Sequence, residues 1–186
     1  MKQWEQEKLK PIDKVFEPDF RNLLSCPDSN KAFEMHYNAI SEISLSEDVD
    51  DDVRTQFEIA RNLFLYSFFY YRFGMTSFKQ AAACTELALR RYLGKPNNDR
   101  ENGMKKLLRR AQSQGYINVK VLKPHLEPEQ YIDILTNFRN DQAHGSHSLF
   151  MPQDCLSFIE DYSELLNQFF SNIRKKNIQA SIDGWQ

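Results

Sequence analysis

The chain has 186 residues, and its 24 Lys and Arg against 26 Asp and Glu give a net charge of −2. That balance excludes a bulk electrostatic pull towards nucleic acid, so any such contact has to be a local patch. With 41% hydrophobic and 27% charged residues, 14 Phe, 8 Tyr and only 6 Gly, the composition is that of a soluble globular domain with long regular elements packed around large rings.

The opening residues, "MKQWEQEKLK", have no apolar run of the kind a signal peptide needs, and a cytoplasmic protein is expected. Residues 1–28 are punctuated by Pro11, Pro18 and Pro27 and read as short helices, with Trp4, Val15, Phe16, Phe20 and Leu23 available to dock them. A helix is predicted from Ser29, taken as its N-cap, with Phe33, Tyr37, Ile40 and Ile43 at helical spacing. The acidic run "EDVDDD" at 47–52 lacks the glycine and closing glutamate of a calcium loop. Its carboxylates fit the start of the next helix, where the dipole favours negative charge.

That next helix is predicted from Asp51 to Phe73, with Gly74 as its stop. It carries one apolar row of Val53, Phe57, Ala60, Phe64, Phe68 and Tyr71, and a second of Ile59, Leu63, Tyr66, Tyr70 and Phe73. Two rows predict a helix buried on most sides. Its most apolar run, "LFLYSFFYYRF", is too short to cross a membrane. The following helix, Thr76 to Leu93, places Phe78, Ala81, Ala82, Thr85, Leu89 and Tyr92 on one face, with Gly94 and Pro96 as stop signals.

"MKKLLRRAQSQGYI" reads as a shorter helix with Met104, Leu107, Leu108 and Ala111 inward. Lys105, Lys106, Arg109 and Arg110 form a two-row basic face, suited either to an RNA backbone or to ordinary solvation. A helix from Pro128 to His144 carries Tyr131, Ile132, Leu135 and Phe138. The last helix, Pro152 to Lys175, has the stripe Cys155, Phe158, Ile159, Tyr162, Leu165, Leu166, Phe169 and Ile173, and a frayed tail is expected over 177–186. No strand pattern competes. The expected fold class is all-α, an up-down bundle of four main helices over 51–176 with a peripheral extension over 1–50. Cys26, Cys84 and Cys155 are odd in number and unpaired by any CxxC, and His36 and His125 stand alone, so no disulfide, metal or cofactor is expected.

The helix ending "FRNDQAHG" turns abruptly polar. Asn140 and His144 are four apart and share a stripe, while Arg139 lies about 140° round the helix from His144. A histidine moves protons near neutrality and an arginine offers a planar fork for phosphate. Together they match metal-free phosphodiester cleavage. His144 would take the proton from a ribose 2′-OH, Arg139 would stabilise the phosphoryl oxygens and Asn140 would orient one of them. Asp141 lies beside them, and His147 is a second proton-transfer candidate. Glu86 either pairs with Arg90 at i,i+4 or reaches across to orient Arg139 or His144. The bland alternative is an ordinary polar helix end followed by Gly145.

"RNDQAH", with four residues between Arg139 and His144, resembles the motif of the HEPN superfamily, and "AAACTELALRRYLG" and "MKKLLRRAQSQGYI" resemble its other helices. The resemblance covers residues 51–176. It implies a four-helix bundle that dimerises with both motif helices lining one cleft. It also implies a metal-independent ribonuclease in a defence, toxin–antitoxin or RNA-processing setting, with an antitoxin or other protein as a possible partner and no membrane. The family also holds inactive modules, so a non-catalytic helical module binding a partner protein or nucleotide is the second expectation.

Overall fold

A computed structural model describes residues 8–94, 103–143 and 150–183. Among these there are seven α-helices and no strand: α1 Ser29–Ser41, α2 Asp51–Tyr66, α3 Phe73–Leu93, α4 Met104–Ser113, α5 Val119–Leu122, α6 Pro128–Ala143 and α7 Pro152–Asp183. Two short 3-10 turns, Ile12–Lys14 and Phe20–Leu23, precede them.

Helix α3 is the central element. It packs most extensively on α2, then on α7 and α4, and more lightly on α6. Its small residues make this possible: Ala81, Ala82 and Ala88 are fully buried, so neighbouring backbones approach closely. The core they share is aromatic and aliphatic. Phe57, Phe78, Leu89, Leu107, Leu108, Leu135, Ile159, Leu165 and Phe169 are all inaccessible to solvent. Among the described residues no helix is long and apolar enough to cross a membrane.

Several predicted features take a different form. Helix α1 is capped by Asp28, not Ser29: its carboxylate accepts from the backbone N–H groups of Asn30 and Lys31 at 3.0 and 3.1 Å. Helix α2 ends at Tyr66, well short of Gly74. Ser67 turns its hydroxyl onto the Phe64 carbonyl at 2.6 Å. The carbonyls of Ser67 and Phe68 are then taken from outside, by the Asn22 amide at 2.9 and 3.1 Å and, for Phe68, by the Asp19 N–H at 2.9 Å. Polar groups of the N-terminal segment thus take the two carbonyls that would continue the ladder, while the N–H groups of Phe69 and Tyr70 turn back onto the Tyr66 carbonyl at 3.0 and 3.2 Å. Phe68 and Tyr71 stay buried through the turn, which is why the apolar row runs on where the helix does not.

The second row of α2 faces outward. Ile59, Tyr66 and Phe73 are exposed, so the helix is buried along one stripe only. Val15, Phe16 and Phe20 are exposed too. The N-terminal segment is held instead by the polar bonds above and by Arg21, which pairs with Asp19 and stacks 4.4 Å over the Tyr71 ring. Tyr92 is half exposed and donates its hydroxyl to Asp50 at 2.9 Å. The acidic run opens α2 as expected, with Asp51 and Asp52 in its first turn, and Asp52 also receives Arg91 from α3. At the other end, α7 continues to Asp183, past the predicted stop, because no Pro or Gly interrupts the sequence before Gly184.

Candidate functional site

The end of α6 is fixed from below. Phe138 packs against Phe150 and Phe158, with ring centroids 5.2 and 4.8 Å apart. Tyr162 of α7 donates its hydroxyl to the Leu135 carbonyl at 3.1 Å. Burial pushes the Tyr162 pKa up, so this phenol is a neutral prop and not a proton source.

One residue past Phe138, the side chain of Arg139 emerges 38% exposed. Helix α3 meets it with Glu86, whose carboxylate is only 12% exposed. One Glu86 oxygen accepts from Arg139 Nη2 at 2.8 Å and the other from Arg90 Nη2 at 2.7 Å. A single carboxylate thus bridges two arginines on two helices. Arg139 also donates through Nη1 to Asn140 Oδ1 at 3.1 Å. The guanidinium is thereby oriented on two edges while part of it faces solvent.

Beside this group lies a cavity of about 230 Å³, lined by Glu86, Lys105, Lys106, Thr136, Arg139 and Asn140. It takes three cationic side chains and one carboxylate, a lining suited to an anion. Much of the basic face of α4 is, however, tied to its neighbours. Lys105 Nζ sits 2.5 Å from Asp133, and Arg109 grips Glu129 through two nitrogens, at 2.7 and 3.0 Å. Arg110 donates to the Leu93 carbonyl of α3. The pairs 105–133 and 109–129 step in opposite directions, as two antiparallel helices require. Asp133 and Glu129 went unread in the sequence. Their signal was there: an acidic i,i+4 pair on α6 opposite a basic i,i+4 pair on α4.

His144 and His147 lie outside the described residues, and so does the side chain of Asp141, whose backbone is in the last turn of α6. Of the motif, then, Arg139, Asn140 and the supporting Glu86 are brought together. Among the described residues no group of three His, Cys, Asp or Glu could hold a metal ion. His36 is committed elsewhere: Nε2 donates to the Phe64 carbonyl at 2.8 Å and the ring stacks on Phe64 at 4.5 Å. Cys84 and Cys155 are buried, and burial pushes both thiols up to about 12, so neither is a nucleophile.

No protein-family model matches the chain, and neither a curated protein nor a solved structure resembles it significantly.

Proposed function

We propose that the chain is a metal-independent endoribonuclease of the HEPN type, acting in a defence or toxin–antitoxin setting. In this reading α2, α3, α6 and α7 are the four main helices, and two copies bring their α6 ends to a shared cleft. His144 removes the ribose 2′-OH proton, the oxygen attacks phosphorus, and Arg139 holds the phosphoryl oxygens. The P–O5′ bond breaks, the leaving 5′-oxygen takes a proton from the protonated His144 of either copy in the shared cleft, and the products are a 2′,3′-cyclic phosphate and a 5′-hydroxyl. The observation that carries the reading is the Arg139 guanidinium: oriented by Glu86 and Asn140, partly open to solvent, and set on a cavity it shares with Lys105 and Lys106.

A second reading is favoured by one feature of the same contact. Glu86 pairs with Arg139 and Arg90 at once, its single charge shared between them, as a structural clamp between α3 and α6 does. A non-catalytic module binding a partner protein or nucleotide would use the motif in this way. The two are separated by incubating purified protein with RNA in EDTA, beside His144→Ala. Metal-free cleavage to cyclic-phosphate ends, abolished in the variant, is expected. Cleavage that survives in His144→Ala would sink the mechanism, and RNA bound but never cut would favour the module.

A further inference from the structure

The break between α2 and α3 places Tyr71 where neither helix holds it. Its ring is buried, so the hydroxyl has to find a partner inside the protein. It donates to the Phe150 carbonyl at 3.1 Å. Phe150 is the first described residue after the motif and lies outside any helix. Its N–H points to the Met75 sulfur at 3.5 Å, so side chains from elsewhere in the chain take both of its backbone polar groups. The Phe150 ring is thereby set against Phe78 of α3, with centroids 5.9 Å apart, and against Phe138 of α6 at 5.2 Å. Phe138 is the residue immediately before Arg139.

Tyr71 is itself aimed from the N-terminal segment. Its backbone N–H reaches Asp19 Oδ2 at 3.4 Å, and Arg21, paired with that carboxylate at 2.6 Å, stacks 4.4 Å over the ring. The side chains of Asp19 and Arg21 are 6% and 11% exposed, so the pair is buried in fixed geometry and is not a loose surface contact.

We infer that Tyr71 is a positioning residue for Arg139: its hydroxyl fixes Phe150, Phe150 braces Phe138, and the last turn of α6 then presents the guanidinium to Glu86. A helix end frays unless groups outside the helix tie it down. Tyr162 ties the Leu135 carbonyl, one turn earlier, and Phe150 supplies the brace next to the arginine. Residues 19–21, far earlier in the chain, thereby share in setting its aim. The kinetic consequence of this role rests on the ribonuclease reading, and the positional one does not.

Two measurements on the full chain test it. Tyr71→Phe removes one oxygen and keeps the ring, its packing and the Arg21 stack. In native-state hydrogen exchange, the amides at 140–143 should exchange about tenfold faster than in the wild type, with those at 57–64 in α2 unchanged. With a mixed-sequence fluorogenic oligoribonucleotide in EDTA, kcat should fall about tenfold and KM stay nearly constant, because the guanidinium is displaced and not removed. Asp19→Asn should move both readouts in the same direction. Ile40→Val, a core truncation in α1, should move neither, which separates positioning from a general loss of stability. Unaltered exchange at 140–143 in Tyr71→Phe overturns the inference whatever happens to RNA, and so does a wild-type kcat in that variant. If the intact chain cuts no RNA, the ribonuclease reading falls and the exchange rates alone decide the positional role.

Discussion

Glu86 shows how a buried carboxylate can be both structural and functional. Its neighbours Thr85 and Ala88 are buried core, so the backbone of α3 cannot yield there and the carboxylate is held where Arg139 meets it. Glu86→Gln keeps the shape and removes the charge that two arginines share. The pair is neither fully buried nor fully exposed, so a loss of about 1–2 kcal/mol is expected, read as a lower urea midpoint. His36 gives a second measurable consequence. Burial holds its pKa below the ordinary 6.5, against a smaller opposing effect from its bond to Phe64. The unfolded chain therefore takes a proton at a pH where the folded chain does not. The stability this histidine supports is full above pH 6.5 and falls as pH drops below it, by at most about 1.4 kcal/mol per pH unit until the folded pKa is reached. Thermal midpoints between pH 7.5 and 5 should fall more steeply for the wild type than for His36→Gln. Equal slopes would show that His36 is not the group responsible.

The helices themselves divide into those that periodicity identifies and those decided by distant partners. Helices α4 and α6 fall where the spacing predicts, because Met104, Leu107, Leu108 and Ala111 face one core and Tyr131, Ile132 and Leu135 face the same one. Arg139 at the α6 end was readable for the same reason: Phe138 had to point inward, so its neighbour could not. The break at residues 67–72 was not readable. It depends on Asp19 and Asn22, more than forty residues earlier, and the buried residues on either side keep helical spacing. Two glycines test this account. Gly74 lies in the first turn of α3, and the nearest atoms a Cβ there would meet are Cys155 Sγ at 3.5 Å and the Ser67 side chain at 3.7 Å, ordinary contacts. Gly74→Ala should therefore stabilise by about 0.5 kcal/mol. At Gly94 a Cβ would fall 2.2 Å from the Arg90 carbonyl oxygen, and the backbone would have to shift. Gly94→Ala should destabilise by more than 1 kcal/mol. Thermal midpoints moving in opposite directions would confirm that Gly94 ends α3 while Gly74 lies inside that helix and ends none.

Whether residues 1–50 are an extension or part of the domain is decided by where their apolar groups go. Ile40, Ile43 and Val49 belong to the same core cluster as Val53, Phe57 and Leu166. Ser44 accepts from Ser163 and Asn167 of α7 at 2.9 and 3.1 Å, so the segment closes over α2 and α7 together. Each fully buried aliphatic side chain is worth about 1.5–3 kcal/mol. Removing all three thus costs about 5–9 kcal/mol, before counting the newly exposed faces of Val53 and Phe57. That is comparable with the whole stability of a typical domain, about 5–15 kcal/mol. The length and helix pattern of 51–176 suit a free-standing bundle, but this balance says that it does not fold alone. A chain lacking residues 1–50 should show reduced helical circular dichroism and no cooperative melting. A chain lacking only residues 1–17 keeps Asp19, Asn22 and α1, and should melt cooperatively near the wild-type midpoint. If the shorter chain, beginning at Asp51, melts as sharply as the intact one, the core assigned to Ile40, Ile43 and Val49 is not the one that holds the molecule together.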